Sequence, residues 1–183
     1  MIAQGKRDSM EDPLSPDDCK LIWRRLLEAD AEVLRAQNEL FTRCRATLID
    51  ILQAGLYAPN ERRTAFRIAS LIYDSEQRKP LFPVFLRLAC EPTHVPDITA
   101  ARRAILSLPR AWVLEKIEIE AANLLDWDDD WIHRRFLELC SLLDRDLTIR
   151  AAQKASTHQN PGIKEAGEDF LSNPSPISPP DEN

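Results

Sequence analysis

The stretch Asp97-Ile98-Thr99-Ala100-Ala101-Arg102-Arg103-Ala104-Ile105-Leu106-Ser107-Leu108 opens on an acid, carries an arginine six residues later and ends at Pro109. Ala101, Ala104, Ile105 and Leu108 fall on one face at helical spacing, and Asp97 stands where a helix takes its cap. The cadence recurs on both sides. Glu61 precedes Arg67, and Asp129 precedes Arg135, by the same six residues, which sets the acids 36 and 32 residues apart. A period of that size points to an array of helical units, each burying one face on its neighbour.

Composition agrees with a helical array. The 183 residues are 44% hydrophobic and 30% charged, enough for one domain with a substantial core plus flexible ends. Only four glycines occur, and β-branched residues do not alternate with polar ones, so the class is all-α. The four cysteines, Cys19, Cys44, Cys90 and Cys140, form no CxxC, and a reduced, cytoplasmic setting is expected. The opening MIAQGKRDSM holds no apolar stretch, and no run approaches a membrane span. No membrane association is expected.

Punctuation sets the organisation. Residues 1–14 and the proline-rich residues 172–183 are expected to be disordered. Residues 15–57 read as an N-terminal helical segment that begins at Ser15-Pro16-Asp17-Asp18, either one long helix or two broken near Asp30. Leu27, Leu34, Phe41 and Leu48 recur there every seven residues beside Leu26, Val33 and Leu40, but Asp30, Gln37 and Asn38 leave the heptad incomplete. Residues 58–171 hold the repeating pattern. Within them, residues 79–90 are apolar on more than one side.

Three segments carry a resemblance to a known family: Asp97-Ile98 through Leu108, Asp130-Trp131-Ile132 through Leu143, and Asn160-Pro161-Gly162-Ile163-Lys164-Glu165-Ala166 through Leu171. Their isoleucines, Ile98, Ile132 and Ile163, stand 34 and 31 residues apart. This resembles the HEAT-repeat family over roughly residues 58–171. The resemblance implies a short α-solenoid of about three antiparallel helix pairs. It also implies acid–arginine ladders between neighbouring units, matched here by Asp97 with Arg103 and Asp129 with Arg135. The last unit departs from the pattern, with Ala166 and Gly167 near the expected arginine.

The residues that could carry function are few. In Asp126-Trp127-Asp128-Asp129-Asp130-Trp131 the alternating acids invite a calcium reading, but the EF-hand test fails. Counting from Asp126, its sixth position is Trp131 and its twelfth Leu137. The segment reads as an inter-helix turn whose last acid caps the next helix. Trp127, Asp128, Asp129, Asp130 and Trp131 then form a candidate binding edge that favours a basic partner. Arg62-Arg63, Arg102-Arg103 and Arg134-Arg135 form doublets in which one arginine enters a ladder and the other faces solvent, so Arg62, Arg102 and Arg134 are a second candidate surface. His94, His133 and His158 stand in different units without a ligand at metal spacing, and His133 is expected on an exposed face. No metal, cofactor or catalytic residue is assigned.

The local charge balances are −2 over residues 1–60, +4 over 61–110 and −8 over 111–183. A uniformly basic nucleic-acid footprint is therefore missing. These readings converge on a non-enzymatic scaffold or adaptor that binds another protein. The alternative is a HEAT-like nucleic-acid-binding protein. A resemblance to HEAT-like DNA-alkylation glycosylases would give Trp127, Asp128 and Trp131 a site role.

Overall fold

Ser15 starts the first helix. Its Oγ accepts from the Asp18 amide at 3.2 Å, Pro16 fills the first turn, and Asp17 and Asp18 face the positive end of the dipole. In the computed structural model, which describes residues 14–91 and 94–172, the resulting helix α1 spans Pro16–Arg43. It runs unbroken through Asp30. The helix stops at residues 44–47, where no glycine or proline stands. In its last turn the Thr42 hydroxyl bonds the Asn38 carbonyl at 2.7 Å, a back-bond that competes with the helical ladder. The ends expected to be disordered lie outside the described residues except for Leu14 and Ser172.

The chain divides into two compact units, Met1–Arg45 and Ala46–Asn183. In the first, α1 has no buried residue. The second takes in α2 (Leu48–Tyr57), which the sequence pattern groups with the N-terminal segment. Its other helices are α3 (Arg62–Ser70), α4 (Ser75–Arg78), α5 (Phe82–Cys90), α6 (Val95–Leu106), α7 (Arg110–Leu124), α8 (Asp130–Leu143), α9 (Arg145–Ser156) and α10 (Pro161–Ser172). A 3-10 turn, Lys79–Leu81, leads into α5. The described residues contain no strand.

Prolines and acids place most of these boundaries. Pro83 and Pro96 sit in first turns, where a missing N–H costs nothing, and Asp129 and Asp144 accept from the first amides of α8 and α9. α5 is the hub. It buries Phe82, Val84, Phe85, Leu86, Leu88, Ala89 and Cys90 and packs on α2, α6, α7 and α8. Ile98, Ile105, Leu108, Phe136 and Leu139 are buried as their spacing predicts, whereas Ile132 is only half-buried.

Small residues let α10 lie close on α9. A Cβ at Gly167 would stand 2.4 Å from the Ser156 nitrogen and 2.7 Å from the Ala152 carbonyl oxygen, so only glycine fits. Leu137, Ala152, Ala155, Ile163 and Ala166 form the cluster beneath that contact. The departure from the repeat pattern at Ala166 and Gly167 is therefore a packing feature.

Candidate functional site

The acidic turn between α7 and α8 is pinned from within. Trp127 donates its indole N–H to the Ala121 carbonyl at 3.1 Å, and its ring meets Phe136 and His133 edge-on at 5.2 and 4.7 Å. Asp129 accepts from the Trp131 and Ile132 amides at 2.8 and 3.1 Å and is the helix cap. Asn160 donates to the Asp128 carbonyl at 3.2 Å, which ties the turn to the start of α10. The two tryptophans therefore differ. Trp127 is half-buried and structural, whereas Trp131 is 57% exposed, next to exposed Asp128 and Asp130. A small cleft of about 60 Å³ is lined by Trp127, His133 and Lys154 but by neither Asp128 nor Trp131, so the residues of the glycosylase resemblance do not converge on one cavity.

His133 is buried, contrary to the exposed position its neighbour Arg134 suggests. Its Nε2–H donates to the Trp127 carbonyl at 2.9 Å, and the His158 ring lies 5.5 Å away. Burial lowers its pKa, partly opposed by the carbonyl it bonds. The unfolded chain then takes up the proton first, so stability is full above about pH 6.5 and declines as pH falls through that value toward the lower folded one. Urea melts across this range should show that decline, and His133→Gln should flatten it.

The arginine doublets form a ladder, but with the first arginine of each. Arg62 reaches Asp97 at 3.4 Å, Arg102 reaches Glu138 at 2.7 Å, and Arg134 reaches Asp169 at 3.2 Å, across 35, 36 and 35 residues. These pairs link α3 to α6, α6 to α8 and α8 to α10. The candidate surface residues Arg62 and Arg102 are side chains only 15% exposed, committed to neighbouring helices. The expected pairings of Asp97 with Arg103 and Asp129 with Arg135 do not form. On α6 the buried face runs through Ile98, Ala101 and Ile105, which turns Arg102 toward α8 and leaves Arg103 outside.

Two of the cadence arginines meet elsewhere. Arg67 and Arg103 line a groove of about 420 Å³ between α3 and α6, with Arg78 at its end. Its floor is apolar: Phe66 stacks on Phe85 at 5.9 Å beside Ala69, Ala100 and Ala104. Arg78 is fixed by donation to the Ser107 hydroxyl and carbonyl at 2.8 and 3.0 Å, and its buried Nε has no acceptor among the described residues. Among the described residues, no carboxylate lines this groove. A second cleft, of about 460 Å³ around Leu106, Leu108 and Leu142, carries Arg110 and Arg145 together with Asp144, and Arg110 already donates to the Leu143 carbonyl and to Asp144.

No family model, curated protein or solved structure matches this chain.

The remaining chemistry is quiet. Burial pushes the Cys90 thiol up to about 12 and the Cys140 thiol well above its ordinary value, so both behave as small apolar side chains. Among the described residues, no group of three or more His, Cys, Asp or Glu side chains could hold a metal ion, and no helix is long and apolar enough to cross a membrane. The groove was missed in the sequence because its walls come from four helices. Its signal was the 36-residue interval between Arg67 and Arg103.

Proposed function

We propose that this protein is a non-enzymatic interaction scaffold, a short HEAT-like α-solenoid that takes an acidic segment of another protein into the groove between α3 and α6. In this reading the units are built on the packed pairs α2/α3, α5/α6 and α9/α10, with α8 packed against α5, α9 and α10, and the near-constant intervals of the arginine ladder support their equivalence. The observation that carries the binding reading is the groove's lining, which sets three arginines beside an aromatic floor and holds no carboxylate among the described residues. Such a site fits a peptide that presents an apolar side chain beside a carboxylate, with the guanidinium forks supplying charge-assisted hydrogen bonds. A second reading rests on Trp131. Its exposed ring among Asp128 and Asp130 suits a basic partner surface.

One experiment separates them. Affinity capture identifies the partner, and binding isotherms then compare wild type, Arg103→Glu and Trp131→Ala. Charge reversal at Arg103 should weaken binding about tenfold or more with no loss of helicity, while Trp131→Ala leaves it unchanged. The opposite pattern would favour the acidic edge. Salt-sensitive binding of a duplex DNA probe, with loss at Arg103→Glu, would replace both by the nucleic-acid reading.

A further inference from the structure

α1 presents an apolar stripe that is exposed from Ile22 to Leu34 and half-buried at Leu40 and Phe41. At helical spacing Ile22, Trp23, Leu26, Val33 and Leu40 share one face, with Leu27, Leu34 and Phe41 along its edge. Trp23 is 59% exposed and Leu34 54%. The 28 residues give a rod about 42 Å long, four heptads, which is enough for a coiled coil. Charged residues occupy the opposite side: Arg24, Glu28 and Arg35.

The heptad register specifies the partner. Trp23, Asp30 and Gln37 hold one core position, and Cys19, Leu26, Val33 and Leu40 hold the other. Parallel pairing with a second copy would set Asp30 directly on Asp30, two like charges in the seam. Antiparallel pairing removes that opposition: Trp23 faces Leu40, Asp30 faces Val33, and Gln37 faces Leu26. The flanks also agree. Leu27 meets Leu34 on one side, and Ala29 meets Ala36 on the other, two small residues that allow close approach. At the ends, Asp18 in the first turn comes beside Arg43 in the last turn of the second copy, where each charge also complements a helix dipole. We propose that the protein forms a homodimer through antiparallel pairing of α1 with α1 of a second copy.

The test uses the full chain in light scattering after size exclusion and in sedimentation equilibrium, at micromolar loading. Wild type should be a dimer. Leu27→Glu buries a carboxylate twice in the interface and should weaken the dimer by about a hundredfold. α1 contributes nothing to the buried core, so the variant's thermal melt should retain its main transition. Leu27→Glu combined with Leu34→Lys should restore the dimer, since the two positions face each other only in the antiparallel register. A wild-type monomer throughout the range, or a dimer indifferent to Leu27→Glu, would overturn the proposal. A double variant that stays monomeric beside a dimeric wild type would overturn the antiparallel arrangement.

Discussion

Phe136→Ala should lower the unfolding free energy by about 3–5 kcal/mol, the range for removing a fully packed aromatic ring. The ring is 4% exposed on α8, a helix that touches α5, α9 and α10. It meets the Trp127 indole edge-on, and the cleft beside it already holds about 60 Å³ of open space. Deleting the ring joins its volume to that cleft, and the hydrogen bonds of Trp127 and His133 to backbone carbonyls keep the walls from collapsing into it. Chemical denaturation monitored by tryptophan emission reads both the loss and the exposure of Trp127. A loss under about 1 kcal/mol would mean that the α7–α8 turn repacks freely, and that Trp127 does not hold the position described.

Period and punctuation were enough to read the helices, because both depend on local chemistry. Pro83, Pro96, Asp129 and Asp144 act on the first turn of their own helices, and the burial of Phe82, Phe85 and Leu86 follows from an apolar pattern that wraps α5. Partner choice across helices was less legible. Asp97 lies six residues from Arg103 in sequence, yet it pairs with Arg62 on another helix, because the rotation of α6 depends on what buries Ile98 and Ile105. The same limit kept the two tryptophans from being told apart. Trp127 and Trp131 flank one acidic turn, and only the Ala121 carbonyl and the Phe136 ring, neither of them adjacent in sequence, draw Trp127 inward. The end of α1 carried no signal either, since residues 44–47 contain neither glycine nor proline.

Glu138→Ala should cost about 2–4 kcal/mol, below the full value for a buried pair because the carboxylate retains some contact with water. Arg102 reaches its Oε2 at 2.7 Å from α6, and Arg135 reaches it at 2.9 Å from within α8 itself, with the Glu138 side chain 22% exposed. Arg102 also donates to the Arg135 carbonyl at 3.1 Å, so removing the carboxylate leaves two guanidinium groups crowded together and neutralised by nothing between them. Glu138→Gln keeps an acceptor but loses the charge, and should fall between wild type and alanine. The last rung sets the comparison. Arg134 and Asp169 are more exposed, 37% and 56%, and Arg134→Ala should cost no more than about 1 kcal/mol. Denaturant melts of the three variants measure this gradient directly. Equal, small losses at Glu138 and Arg134 would show that the ladder is surface decoration, and that the intervals of 35 and 36 residues carry no energy between helices.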